Sequence, residues 1–421
     1  MDLRPCPAPC REGFIETRGL SHDLCQSLTH EDMASQSMPD ASPAKWHLAH
    51  TTWFFEAFVL SPFDDQYQPY HPEFGFLFNS YYNGQGDRHP REERGLLSRP
   101  SAQEVLEYRK AIDQSILELL EQEEHPRRSE ILRIVEIGLN HEQQHQELLL
   151  TDIKHLFSKT ILAPAYRESL PLPQGHIEKS LNWITPSHGL HEIGSSGEAF
   201  CFDNETPRHR VFCEPFSIAD RLITNREYLE FIEDGGYKTA ALWLDKGWAT
   251  IQSEKWEFPL YWSLTSNGFQ EFTLAGRREL CLSEPVSHVS FFEAEAFARW
   301  AGHRLPTEAE WEISCRDATL KGNFVETRRF HPQTANDEGS PQVIRQCFGD
   351  LWEWTSSSYA PYPGYRPEEG ALGEYNGKFM CEQFVLRGGS CATSASHIRS
   401  TYRNFFYPPD RWQFTGIRLA R

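Results

Sequence analysis

The sequence predicts an α+β multidomain protein: an antiparallel four-helix bundle followed by a domain of short strands, few helices and long loops. Three observations predict it. Apolar residues recur at three- and four-residue spacing in four long stretches before residue 160. Pro164, Pro171, Pro173 and Pro186 then break any period. From about residue 190 the chain is rich in Gly, Pro, Trp and Phe with few helical periods. The length, 421 residues, fits two or three domains at roughly 150 residues each.

The four bundle helices are expected over 17–33, 43–60, 101–123 and 128–157. The third opens on Ser101 with Glu104 three residues later, the spacing of a capping box. The fourth carries Ile131, Ile134, Val135, Leu139, Leu148 and Leu149. The segment 61–99 is long for a connection in a compact domain, and such loops are usually functional. These features give a bundle over 1–165, a linker over 166–189 and a second domain over 190–421. In the second domain, helices are expected near 224–234 and 291–301.

Charge narrows the partners. There are 41 Lys and Arg against 60 Asp and Glu, a net charge of −19. That balance argues against nucleic acid and against an anionic membrane surface. No apolar run reaches the ~18 residues of a membrane span, and the first 20 residues have no signal-peptide pattern. A cytoplasmic protein is expected, its ten scattered cysteines reduced, since none forms C-x-x-C.

Metal chemistry is the strongest signal. His141-Glu142-Gln143-Gln144-His145 puts two imidazoles on one helical face, where they can bind one ion. His50 lies among Ala49, Trp53 and Phe54 on an apolar helix and is expected to point inward. Three histidines meeting inside a bundle, with coordination positions left over, make a redox or hydrolytic metal site. His47 could compete with His50 as a ligand, but a supporting or surface place suits it better. The same pentapeptide fits the H-E-x-x-H zinc-hydrolase pattern, with Glu142 as general base. Against that, Glu142 lies on a different helical azimuth from the histidines and reads as a surface carboxylate. Arg88, Arg91 and Arg94 cluster in an acidic chain, which points to a bound carboxylate.

The chain resembles the iron(II)-dependent sulfoxide synthases of ergothioneine biosynthesis, the EgtB type. The motifs that carry the likeness are Trp46-His47-Leu48-Ala49-His50-Thr51-Thr52-Trp53-Phe54, Phe78-Asn79-Ser80-Tyr81-Tyr82-Asn83 and Asn140-His141-Glu142-Gln143-Gln144-His145. Downstream they are Arg304-Leu305-Pro306-Thr307-Glu308-Ala309-Glu310-Trp311-Glu312, Leu351-Trp352-Glu353-Trp354-Thr355, Val385-Leu386-Arg387-Gly388-Gly389-Ser390 and Arg403-Asn404-Phe405-Phe406. The resemblance implies a DinB-like bundle and a formylglycine-generating-enzyme-like domain of C-type-lectin-like topology. It implies Fe(II) on His50, His141 and His145, with hercynine, cysteine and O2 as substrates and a C–S bond formed at imidazole C2. Gln144 would hold the hercynine imidazole, and Asn404, Phe405 and Phe406 would face its trimethylammonium. Arg91 and Arg94, with Arg88 nearby, would clamp the thiol substrate's carboxylate, and Tyr81 or Tyr82 would donate a proton. Relatives that take γ-glutamylcysteine carry an acid where this chain has Phe406, which favours free cysteine. Selenium-donor and ovothiol-type synthases share the scaffold. Formylglycine-generating chemistry needs a close cysteine pair, and only Cys391 follows Ser390, so this domain is expected to be a scaffold.

Overall fold

A computed structural model describes residues 9–168, 170, 180–335, 343–367 and 370–421. The chain divides into two compact units, residues 1–167 with 368–375 and residues 168–367 with 376–421.

The first unit is built on four helices, Arg11–Cys25, Ala44–Phe55, Ala102–Leu120 and Arg128–Lys159. The first helix begins earlier than the expected 17–33 and stops at Cys25. Thr29 and Asp32 form a capping box, so the chain restarts there as the short helix His30–Ala34 rather than running through. In the second helix every residue is buried, polar Lys45, His47, His50, Thr51 and Thr52 included. It packs against the third and fourth helices, and the first helix also packs on the fourth. The close approach depends on Gly138, where a Cβ would stand 2.6 Å from the Phe55 ring. The expected capping box of Ser101 and Glu104 is present.

The 61–99 segment contains the short helices Phe74–Phe78 and Arg91–Leu96. Asn79 braces it: its Nδ2 donates to Tyr82 O at 2.9 Å, and its Oδ1 accepts from Tyr82 N at 3.1 Å. Residues 370–375 join this unit from far downstream. The Asn83 and Gly84 amides donate to the Glu374 carboxylate at 2.7 and 2.9 Å.

The second unit centres on a four-stranded sheet in the order 404–406, 384–387, 352–358, 415–416. The last pair is parallel and the others antiparallel. Trp311, Trp352 and Trp354 fill its core. Their motif neighbours serve the scaffold: Trp311 Nε1 donates to Glu353 at 2.7 Å, and Glu308 pairs with Arg403 at 3.0 Å. The expected helices are Asn225–Glu233 and Phe291–Trp300, each opened by a capping box. Two others were not foreseen, Asp245–Glu254 and Glu308–Cys315. The second of these starts on Thr307 and Glu310, a capping box visible in the sequence. The linker expected over 166–189 is too long. Trp183–Ile184 is already a strand of the second unit, paired with Ile218–Ala219, while 169 and 171–179 lie outside the described residues. Among the described residues, no helix is long and apolar enough to cross a membrane.

Candidate metal centre

The second and fourth helices of the bundle bring His50, His141 and His145 together. One nitrogen from each lies within 4.8 Å of the other two. The three residues are 1%, 5% and 8% exposed, respectively. His50 Nε2 and His141 Nε2 are 3.2 Å apart. Metal–nitrogen bonds of about 2.1 Å at right angles would put ligand nitrogens ~3 Å apart, so this spacing fits a shared ion.

The orientation of His50 is over-determined. Its ring lies between Trp46, stacked at 4.7 Å, and Trp53, stacked at 5.8 Å. Its Nδ1 donates to Phe78 O at 2.6 Å, which leaves Nε2 as the lone-pair nitrogen. His141 packs against Phe54, and its Nδ1 has no hydrogen-bond partner. The donor set, three imidazoles without thiolate or carboxylate, suits a borderline divalent transition metal.

Burial, then the neighbouring imidazoles, hold His50 and His145 well below the usual histidine range. Burial lowers His141 to about 4. All three are therefore neutral near pH 7 and free to donate a lone pair. Unfolded histidine protonates near pH ~6.5, but folded His141 does so only near 4. Between those values the unfolded chain binds more protons, so stability falls as pH drops. The urea midpoint of the metal-free protein should decline from pH 6.5 toward pH 4; a flat profile would contradict neutral buried rings.

Glu142 is not the surface carboxylate expected from its azimuth. It is 0% exposed. Arg18 Nη1 donates to Oε2 at 2.6 Å, Ser21 Oγ donates to Oε1 at 2.5 Å, and Arg109 also donates to Oε1. Burial alone would raise its pKa, but Arg109 and Arg18 hold it down to about 2. A carboxylate so committed cannot take a proton from a metal-bound water, and the zinc-hydrolase alternative loses its base.

The other expected site residues are placed as follows. Gln144 sits half-buried between the two ligands of the fourth helix. Tyr82 is buried against Trp53, Phe54 and Phe58. Tyr81 is more open, and its hydroxyl accepts from Arg91 Nη1 at 3.4 Å. Arg88 donates to Ser80 O at 3.2 Å. Arg94 is buried over the Trp46 ring at 3.3 Å and donates to Ser42 Oγ and Ser80 Oγ. Burial lowers its pKa to about 9. In the second unit, Asn404, Phe405 and Phe406 form an edge strand, and Phe405 stacks on Tyr359 at 4.1 Å. Tyr375 was not anticipated. It stands edge-on to Tyr81 at 5.9 Å, brought there by the returning 370–375 segment, and no local spacing could have revealed it.

A second trio, Glu271, Glu284 and His331, also gathers ligand atoms. Arg278 Nη2 already contacts all three, so a guanidinium supplies the cation there.

Comparison with known proteins identifies the family. Residues 14–149 match the DinB superfamily, and residues 178–343 and 338–421 match the sulfatase-modifying factor enzyme 1-like domain. The hercynine oxygenase of Mycolicibacterium smegmatis is 31% identical, over 97% of this chain and 99% of its own. The chain belongs to the hercynine oxygenase family. Hercynine oxygenase of Mycobacterium tuberculosis is also 31% identical, over 92% of this chain and 93% of its own. Ergothioneine biosynthesis protein 1 of Schizosaccharomyces pombe is 29% identical, over 60% of this chain and 31% of its own. As a member of the hercynine oxygenase family, the chain is an oxygen-dependent oxidoreductase with a sulfoxide-synthase role in ergothioneine biosynthesis. Its bundle has candidate metal ligands in the three histidines.

Proposed function

We propose that the metal is Fe(II) and that the chain joins C2 of the hercynine imidazole to the sulfur of cysteine, using O2, to give hercynyl-cysteine sulfoxide. The observation that carries this is the set of three buried, neutral imidazoles from two helices. In the reaction the C2–H and S–H bonds break and the C–S and S–O bonds form. Four electrons pass to O2, one oxygen ending in the sulfoxide and the other in water.

Iron(II) held by His50, His141 and His145 would supply open coordination positions and the redox chemistry that O2 requires. The chain's own groups do the rest. Gln144, between two ligands in sequence, is assigned to orient the hercynine imidazole. Arg91 and Arg94, with Arg88, are assigned to the cysteine carboxylate; Arg94 is a buried cation held by two serine hydroxyls rather than by a carboxylate, which supports an anionic guest. Aligning thiol and imidazole in this way removes much of the entropic barrier. Tyr81 is assigned the proton donor, because its hydroxyl meets Arg91 while Tyr82 is packed in the core. Asn404, Phe405 and Phe406 are assigned to the trimethylammonium on the motif and on the attraction of aromatic faces for quaternary ammonium. Phe406 in place of an acid supports cysteine over γ-glutamylcysteine. We place the protein in the cytoplasm, acting on small molecules.

The test loads the protein anaerobically with iron, then adds O2, hercynine and either cysteine, γ-glutamylcysteine or a selenol donor. Oxygen uptake that needs hercynine, with the sulfoxide mass from cysteine, is expected. Uptake with another donor alone would overturn the substrate assignment. Tyr81→Phe should slow product formation by about 10²- to 10⁴-fold, the usual worth of a general acid, while Tyr82→Phe leaves turnover nearly unchanged. The reverse order would move the proton donor to Tyr82.

A further inference from the structure

We propose that Asp152 and His47 are positioning residues that fix His145 as an Nε2 donor to the metal. The proposal rests on the three-histidine centre and adds a support behind it.

Both residues are buried beside the ligands. His47 lies three residues before His50 on the second helix, and Asp152 lies seven residues after His145 on the fourth. The seven-residue step returns Asp152 to the same helical face as His145. Asp152 Oδ2 accepts from Ser42 N at 2.8 Å and lies 3.0 Å from His47 Nε2. A carboxylate oxygen only accepts, so His47 Nε2 carries the hydrogen. In the neutral ring, His47 Nδ1 is then a lone pair. It stands 2.9 Å from His145 Nδ1, which must be the donor. His145 is left with its free lone pair on Nε2.

The three histidines thus differ in their support. His50 leans on the Phe78 carbonyl, His145 on the His47–Asp152 pair, and His141 has no hydrogen bond at Nδ1. Only His145 is backed by a carboxylate, one imidazole removed. Partners of this kind fix a ligand's tautomer and ring plane and raise its basicity. The competing account is a structural tie: Asp152 would simply bind the second helix and Ser42 to the fourth helix.

Cobalt(II) affinity, measured by chelator competition, separates the two. His47→Leu removes the acceptor for His145 Nδ1–H and should weaken cobalt binding about 10- to 100-fold. His47→Asn offers an amide oxygen near the old Nδ1 position and should recover most of that loss. Wild-type affinity in His47→Leu would overturn the proposal. So would equal weakening in the Leu and Asn variants. Nitrogen-15 NMR of histidines in the metal-free wild type needs no variant: His145 should carry its proton on Nδ1, and a proton on Nε2 would overturn the assignment. Failure of the underlying centre would look different, since His141→Ala would then bind cobalt as well as the wild type does.

Discussion

His141→Ala is expected to empty the metal centre and stop oxygen consumption while leaving the bundle folded. Among the described residues, three imidazoles are the candidate donors gathered here, and the nearest acid in sequence, Glu142, is bound by two arginines and a serine. Glu142 is thus not free to replace a lost nitrogen, and Asp152 is held by Ser42 N and His47. The fold should tolerate the change because His141 Nδ1 makes no hydrogen bond and the ring mainly packs on Phe54 and the other two ligands. Metal content after dialysis should fall from about one ion per chain to near zero, with the far-UV circular dichroism retained. Full metal retention would remove His141 from the ligand set.

Glu142→Ala is expected to act on stability before chemistry. It would leave Arg18 and Arg109 buried without their shared acid. Arg18 keeps Asp113 at 2.7 Å, but Arg109 keeps only hydroxyl and carbonyl acceptors. Breaking one side of a buried ion network costs about 3–5 kcal/mol, a large part of the stability of a typical domain. Urea denaturation of the metal-free protein should show that loss. Iron-loaded protein that remains folded should still turn over. A general base would behave the other way, with stability kept and turnover lost.

These two residues also show what could be read from sequence and what could not. The histidines were legible because i,i+4 spacing on a helix and an inward-facing His50 need only local geometry. The four bundle helices were legible for the same reason, with boundaries off where a capping box interrupts an apolar period, as at Thr29. The burial of Glu142 was not legible. Its azimuth away from the ligands suggests solvent, whereas the first and third helices cover that face with Arg18, Ser21 and Arg109. Asp152 was hidden similarly, one acid among sixty until Ser42 and His47 are seen to share its oxygen. Tyr375 lies far along the chain from Tyr81, and no periodicity links them.

X-ray absorption at the iron edge of the anaerobically reconstituted protein tests the central claim most directly. One iron per chain with three imidazole nitrogens near ~2.1 Å, and loss of that imidazole-bound iron in His141→Ala, is the expected result. A first shell containing a protein thiolate or carboxylate, or one unchanged in that variant, would contradict it.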